Sequence, residues 1–317
     1  ILTSPDGITW TSRTSGVYSS IESITYSKKL RLFVAVSSSY GNRIFTSNNG
    51  ITWSNQTYSS SLSAVTYSEE LELFVATGVS GTIITSPDGV TWTSQTSGVN
   101  NLINSIAYSK ALNLFVATVY TGAIITSPDG VTWTTQNSGV STSLEAVTYS
   151  EELGLFVAVG ASGTILTSPD GITWTSRTSG VSENFYFVMY SETLGLFIIL
   201  GEHGTILLGK GYETFENKSL YSNLPNYIYD ICYIKDLSIF VLGGGRNSIF
   251  SSINGIDWVE HTEGITSEIN YFTYSKHWKI IIAVGSNGTI LTSPDGVTWT
   301  ERLRVTGDAF LGVCYSE

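Results

Sequence analysis

The sequence is poor in charged residues, and above all in basic ones. Only 13% of its 317 residues are charged, with 15 Lys and Arg against 26 Asp and Glu, so the formal net charge is −11. A phosphate backbone requires a basic surface, so this balance excludes nucleic acid as the expected partner. No apolar run approaches the roughly 20 residues of a membrane-spanning helix, and we expect no membrane insertion.

Cysteine is almost absent, and an initiator Met is missing. Cys232 and Cys314 occupy the same column of two repeats. The other copies carry mostly small residues there, namely Thr25, Thr66, Ala107, Thr148, Met189 and Thr273. Such a column indicates packing, and we expect two free, buried thiols, with a disulfide or a reactive site as the alternative. Because the chain begins at Ile1, we expect a processed chain or a fragment of a longer one.

What the sequence does contain is an internal repeat. Residues 1–17 and 165–181 are the same string, ILTSPDGITWTSRTSGV. A tryptophan recurs every 39 to 43 residues, with one two-repeat interval in which Phe215 takes its place: Trp10, Trp53, Trp92, Trp133, Trp174, Trp258 and Trp299. Self-similarity at this period predicts one supersecondary unit per repeat.

Each repeat contains four strand-like segments and no helical periodicity. The repeat at 143–177 shows them as Leu144–Ser150, Leu153–Val159, Thr164–Ser168 and, after the turn Pro169-Asp170-Gly171, Ile172–Ser176. The first segment alternates, the second is almost wholly apolar, and the Pro-Asp-Gly turn favours a tight hairpin. Four short antiparallel strands per repeat predict an all-β fold, a β-propeller of four-stranded blades.

The number of segments bears on the number of blades. There are eight third–fourth hairpins and eight first strands but only seven apolar second strands. We therefore expect residues 1–317 to form a single propeller of eight blades with a repeat of roughly 41 residues; seven blades is the alternative. In the eight-bladed arrangement, a shared blade joins strands at 1–13 to a first strand at 309–316, and seven full repeats run over about 20–302.

The hairpin resembles the Asp-box, or BNR, repeat of sialidase-like and related propellers, with a turn one residue shorter. The pattern Ser-Pro-Asp-Gly-x-Thr-Trp begins at Ser4, Ser86, Ser127, Ser168 and Ser293. The resemblance implies a structural role for Asp6, Trp10, Trp53, Asp88, Trp92, Asp129, Trp133, Asp170, Trp174, Trp258, Asp295 and Trp299. The repeat also looks like those of bacterial surface proteins and phage tail or receptor-binding proteins, which implies an extracellular or virion-surface location.

Catalytic constellations are not evident. A sialidase needs an arginine cluster, whereas Arg13, Arg177 and Arg302 are copies of one repeated position. The histidines His203, His261 and His277 lack metal-ligand spacing, so we expect no metal and no cofactor. A glycoside hydrolase with a carboxylate pair in a central depression remains the enzymatic alternative. The candidates for such a pair are the acidic residues that do not recur from repeat to repeat, Glu183, Glu202, Asp230 and Glu263.

We therefore expect a non-catalytic recognition or adhesion module that binds a glycan or a protein on a cell surface, with a structural scaffold in a larger assembly as the further alternative. The loops of the most divergent repeats are the expected binding surface, since loops vary without disturbing a core. The candidate ligand-binding residues are His203, Tyr221, Asn223, Asn226, Tyr227 and Arg246.

Overall fold

The structure, a computed structural model, describes residues 2–12, 21–37, 42–192, 194–212, 215–217, 228–245, 247–304 and 309. The chain divides into two compact units. We call residues 14–201 and 205–217 the five-blade unit, and residues 1–13, 202–204 and 218–317 the two-blade unit. Each contains four-stranded antiparallel sheets in which the strands pair in chain order, first to second, second to third and third to fourth.

The five-blade unit contains five complete blades. Its first strands are β3 (Ile21–Ser27), β7 (Leu62–Ser68), β11 (Ile103–Ser109), β15 (Leu144–Ser150) and β19 (Phe185–Ser191). Its second strands are β4 (Leu32–Ser37), β8 (Leu73–Gly78), β12 (Leu114–Val119), β16 (Leu155–Gly160) and β20 (Leu196–Gly201). Its third strands are β5 (Arg43–Ser47), β9 (Ile83–Ser86), β13 (Ile124–Ser127), β17 (Ile165–Ser168) and β21 (Ile206–Gly209). Its fourth strands are β6 (Ser54–Thr57), β10 (Thr93–Gln95), β14 (Thr134–Gln136), β18 (Thr175–Arg177) and β22 (Glu216–Asn217).

The two-blade unit contains two complete blades and an N-terminal hairpin. The hairpin consists of β1 (Leu2–Thr3) and β2 (Thr11–Ser12). The first complete blade consists of β23 (Ile228–Ile234), β24 (Ile239–Gly244), β25 (Ile249–Ser252) and β26 (Val259–His261). The second consists of β27 (Ile269–Ser275), β28 (Ile280–Gly285), β29 (Thr289–Ser293) and β30 (Thr300–Arg304).

The position of a strand within its blade explains its composition. All six residues of the apolar strand β16 are buried, as are all four of β17, because these middle strands are covered on both faces. The fourth strand β18 is largely exposed and carries the polar residues of an edge. The predicted apolar second strand therefore belongs to the centre of each blade, as its composition indicated.

The tryptophan column borders the core rather than filling it. Trp133, Trp258 and Trp299 are buried, whereas Trp10, Trp53, Trp92 and Trp174 are only partly buried. Trp133 lies 6.3 Å from Phe115 of β12, measured between ring centroids. The partly buried Trp10, Trp92 and Trp174 pack against clusters of buried core residues.

The preferred count of eight blades is wrong for the described chain, which contains seven blades, the alternative. Among the described residues β1 pairs only with β2, since no apolar second strand remains to join it. The hairpin still packs as a following blade would. Gly7 lies against Ile280 and Ile282 of β28, as Gly171 lies against Leu114 and Val116 of β12. The first strand expected at 309–316 lies, apart from Ala309, outside the described residues.

The fourth strand also begins later than predicted. In the blade of β15–β18 it starts at Thr175, three residues after the expected Ile172. The N–H groups of Ile172 and Thr173 donate to the Asp170 carboxylate instead of to a neighbouring strand. The turn is therefore wide, and a side chain satisfies backbone groups that a tight hairpin would have paired.

Helix is nearly absent from the described residues. It is limited to the short 3-10 segments Val79–Gly81 and Ser286–Gly288. Accordingly, within these ranges no helix has the length and apolar character needed to cross a bilayer.

Candidate functional site

The repeated aspartates are acceptors for the turns that contain them. Asp129 Oδ1 accepts the N–H of Val131 at 2.8 Å, the N–H of Thr132 at 2.7 Å and the hydroxyl of Ser127 at 3.0 Å. Trp133 Nε1 closes the same turn by donating to the carbonyl of Gly130 at 2.9 Å. The equivalent bonds recur around Asp6, Asp88, Asp170 and Asp295.

These hydrogen bonds hold the aspartates ionised. The N–H of Thr9 is the main cause that lowers the pKa of Asp6 to about 2, and the N–H of Thr91 does the same for Asp88. At Asp129, partial burial alone would raise the pKa, but the N–H groups of Thr132 and Val131 outweigh it and lower the pKa. A carboxylate bonded in this way is a poor general acid near neutral pH, because it stays deprotonated.

The repeated position of Arg177, Arg302, Gln95 and Gln136 lies in the fourth strand, and its side chains are hydrogen-bonded. Arg177 Nε donates to Thr167 Oγ1 at 2.8 Å, and Arg302 Nε donates to Thr292 Oγ1 at 2.7 Å. Gln95 and Gln136 bond the corresponding threonines, and His261 bonds Ser251 at 2.7 Å. The column therefore ties the fourth strand to the third.

The glutamates between first and second strands join neighbouring blades. In the five-blade unit, Glu151 accepts the backbone N–H of Lys110, which begins the corresponding turn one blade earlier, at 2.8 Å. Glu70 pairs with the Lys110 ammonium at 2.7 Å, and Tyr190 donates to Glu152 at 2.9 Å. These acids are exposed, and they also bond groups of the adjacent blade.

Every complete blade has a β-bulge near the start of its first strand, and in the blades of Ser23 and Ser105 the residue after the bulge bonds the next blade. The register shifts between Ile21 and Ser23 of β3 and at the equivalent place in the other six first strands. Ser23 Oγ accepts the N–H of Val65 in the next blade at 3.2 Å, and Ser105 Oγ accepts that of Val147 at 3.3 Å. The bulges before Ser23 and Ser105 therefore present a hydroxyl group to the neighbouring strand.

In the two-blade unit a carboxylate takes the place of the serine. Asp230 of β23 is 5% exposed, and its Oδ2 accepts the N–H of Phe272 of β27 at 2.7 Å. Burial raises its pKa to about 7, although the N–H groups of Phe272 and Ile231 oppose the shift. The free, partly buried thiol of Cys232 lies on the same strand, and burial and the charge of Asp230 raise its pKa to about 12.

An exposed tyrosine precedes each of the two residues that form this buried hydrogen bond. Tyr229 precedes Asp230 and is 43% exposed, and Tyr271 precedes Phe272 and is 40% exposed. In four blades of the five-blade unit, the positions of Tyr229 and Tyr271 are polar or small: Glu22 and Ser23, Ser63 and Ala64, Asn104 and Ser105, Glu145 and Ala146. The fifth blade carries an exposed Tyr186. The beginnings of β23 and β27 are therefore the candidate site, which we call the tyrosine surface.

The site residues predicted from the sequence stay a prediction. Of its six candidate residues, Tyr221, Asn223, Asn226, Tyr227 and Arg246 lie outside the described residues. His203 is described, as an exposed residue in the turn between β20 and β21 with φ of +55°. Tyr229 and Tyr271 were missed because they lie inside strands; the signal was an aromatic residue in a column that is polar or small in most other blades.

The described residues contain no group of three His, Cys, Asp or Glu side chains arranged to hold a metal ion. Of the once-occurring acids, Asp230 is buried, whereas Glu263 is exposed. Glu183 and Glu202 are partly buried.

Comparison with solved structures shows the fold. The chain is similar to the crystal structure of the computationally designed Ika8 protein, with a TM-score of 0.68 at 16% identity, covering 91% of this chain and 89% of that one. It is similar to YCF48 from Cyanidioschyzon merolae, with a TM-score of 0.60 at 16% identity, covering 86% and 95%. It is also similar to YCF48 bound to D1 peptide, with a TM-score of 0.56 at 15% identity, covering 72% and 78%. No family model and no curated protein matches the sequence.

The class of protein follows from the blades and these likenesses. The chain is an all-β repeat protein with the β-propeller fold, built from four-stranded antiparallel blades. Sequence identities of 15% and 16% show a shared fold alone.

Proposed function

We propose that this chain is a non-catalytic recognition module that binds a segment of another protein at the tyrosine surface. The observation that carries the proposal is the exposure of Tyr229 and Tyr271 at the starts of adjacent first strands. Tyrosine contributes a large, rigid contact area with a polar end, and it is enriched among the residues that dominate binding energy at protein interfaces.

Two further observations support the proposal. The repeated aspartates and the arginine column already bond their own blades, which leaves them in structural rather than catalytic use. In addition, a structurally similar propeller is one bound to a peptide, YCF48 with D1 peptide. A protein segment is therefore the preferred ligand over the glycan, and the extracellular or virion-surface setting rests on the repeat resemblance alone.

The test uses the purified chain on a peptide array and on a glycan array in parallel. We compare the wild type with the double variant Tyr229→Ser and Tyr271→Ser, which introduces a residue that other blades carry at these columns. Tyr120→Ser is the matched control, because Tyr120 is an exposed tyrosine in another blade. The expected result is peptide binding that falls at least about tenfold in the double variant, the loss of one or more interface anchors, and that is unchanged in the control.

Other outcomes reject the proposal in distinct ways. Binding to glycans alone shows that the ligand class is wrong. Peptide binding that survives the double variant but is lost on changing Glu69 and Glu70 shows that the surface is wrong. Hydrolysis of an arrayed glycan, detected as new reducing ends, restores the enzymatic alternative.

A further inference from the structure

The contact between β23 and β27 differs chemically from its counterparts in the five-blade unit. Ser23 and Ser105 hold the next blade with a neutral hydroxyl, whereas Asp230 does so with an ionisable group. The bond to Phe272 N is also shorter, 2.7 Å against 3.2 and 3.3 Å. The residue after the bulge is therefore ionisable at Asp230, whereas it carries a neutral hydroxyl at Ser23 and Ser105.

The surroundings of Asp230 contain no described countercharge. Strand β24, which pairs with β23, carries no titratable side chain, and neither does β28. Strand β27 carries Tyr271 and Tyr274, and the Tyr274 hydroxyl bonds Asp236 in the turn after β23. On β23 itself the titratable neighbours are Tyr229, Cys232 and Tyr233. Among the described residues, an ionised Asp230 is therefore stabilised by the N–H groups of Phe272 and Ile231.

We propose that Asp230 is a proton-operated latch that holds β27 against β23 and so sets the spacing of Tyr229 and Tyr271. In its neutral form the carboxyl accepts the Phe272 N–H without a buried charge. When the group loses its proton, the buried anion is poorly solvated, and separation of the two strands is favoured because it admits water. The consequence for binding rests on the proposed function: the tyrosine surface is most ordered in acid, and it loosens as the pH rises towards 7.

The direction of the pH effect on strand separation follows from the linkage between proton binding and opening. The closed state has a carboxyl pKa of about 7, raised by burial, whereas an opened and hydrated Asp returns to its ordinary range near 4. A group whose pKa is raised in the closed state stabilises that state fully below the open-state pKa, and this stabilisation is lost as the pH rises through the closed-state value. Opening should therefore become easier by about tenfold per pH unit between roughly pH 4 and 7.

The experiment is amide hydrogen exchange at Phe272, corrected for the intrinsic pH dependence of exchange. The chain supplies its own controls, the amides of Val65 and Val147, which are held by Ser23 and Ser105. We expect protection at Phe272 to fall across pH 5 to 7 relative to these two amides, and to become independent of pH in Asp230→Asn. Asp230→Ser, which introduces the residue found at this position as Ser23 and Ser105, is the second variant and should behave likewise.

Several results would overturn the latch. Among them are protection at Phe272 that follows Val65 and Val147 at every pH, or a pH dependence that persists in both variants. The exchange measurement needs no partner, so it separates this inference from the proposed function. Tyrosine-dependent peptide binding without a pH-sensitive Phe272 rejects only the latch, whereas a pH-sensitive Phe272 without such binding rejects only the proposed function.

Discussion

Asn254 and Asp257 exchange the roles that aspartate and threonine have in the other turns. Asn254 Nδ2 donates to Asp257 Oδ2 at 2.8 Å, whereas in the first hairpin Thr9 Oγ1 donates to Asp6 Oδ2 at 3.1 Å. Asn254 Oδ1 still accepts the N–H groups of Ile256 and Asp257, each at 2.9 Å. The acid has moved three residues along the turn, and the bond across the turn is kept with its direction reversed.

Replacing the two turn asparagines by aspartate should therefore have different effects. Asn254→Asp places a second carboxylate next to Asp257 and removes the donor between them, so we expect a loss of about 1 kcal/mol in unfolding free energy. Asn49→Asp is the matched control, because Thr52 takes the place of Asp257 and reproduces the turn of the other repeats. Urea unfolding at pH 7 measures both; equal losses would contradict the exchanged roles.

The turn aspartates predict a loss of stability in acid. The pKa values of Asp6 and Asp88 are lowered to about 2 by hydrogen bonds from the backbone. A group with a lowered folded-state pKa contributes stability above its ordinary value near 4, and this contribution is lost as the pH falls towards 2. Melting temperatures measured from pH 6 to pH 2 should fall in this window.

Asp88→Asn isolates this effect. Asparagine keeps an acceptor for the N–H groups of Val90 and Thr91, as Asn49 does in its own turn for Ile51 and Thr52. The variant should therefore melt slightly lower than the wild type at pH 6 and approach it at pH 2. Parallel melting curves across this range would show that the bonds to Asp88 do not favour its ionised form.

Substitution of two glycines with the same backbone conformation distinguishes the cost of a steric clash from the cost of backbone strain. Gly171 has φ of +74° and Gly180 has φ of +73°. A Cβ at Gly171 would lie 2.6 Å from Leu114 Cδ2 of the preceding blade, whereas a Cβ at Gly180 would meet nothing within 4 Å. We expect Gly180→Ala to lose about 1 kcal/mol from strain and Gly171→Ala about 2–4 kcal/mol, because a clash between blades is added. Equal losses of unfolding free energy in the two variants, measured by urea unfolding, would contradict the expected clash between the blades.

Trp133 is the most informative tryptophan to truncate. It is 9% exposed, belongs to the cluster around Phe115 and donates to the Gly130 carbonyl. Trp133→Ala should lower the unfolding free energy by about 3–5 kcal/mol through the cavity left behind. Trp133→Phe should lose less unfolding free energy, since an aromatic ring is retained. Phe215 occupies the tryptophan position in one repeat in the same way. A loss below about 1 kcal/mol for the alanine variant would show that the column is not part of the core.

Most of the fold was predictable because it depends on local pattern. Leu144–Ser150 was predicted as a strand with the boundaries that β15 has, and the apolar run that follows became β16. The start of the fourth strand was not predictable in the same way. A Pro-Asp-Gly turn indicates a tight hairpin, but the Asp170 carboxylate competes successfully for the N–H groups of Ile172 and Thr173.

The candidate site was less predictable, for a reason visible in Asp230. Its chain neighbours Tyr229 and Ile231 show no acidic or basic pattern that would mark it. Its raised pKa comes from burial, which outweighs the opposing effect of a hydrogen bond from an amide 42 residues away. Desolvation depends on atoms contributed by other strands, which no local pattern reports.

The sequence by itself determined the repeat, the four strands of each blade and the turn chemistry, because each depends on side-chain periodicity and on residues that interact within a few positions. Only the tertiary structure decided which blade carries a buried carboxylate, which tyrosines remain exposed beside it, and that seven complete blades accompany a two-stranded hairpin among the described residues. Those properties come from contacts between residues about forty positions apart, where burial and hydrogen bonding are set by the neighbouring blade.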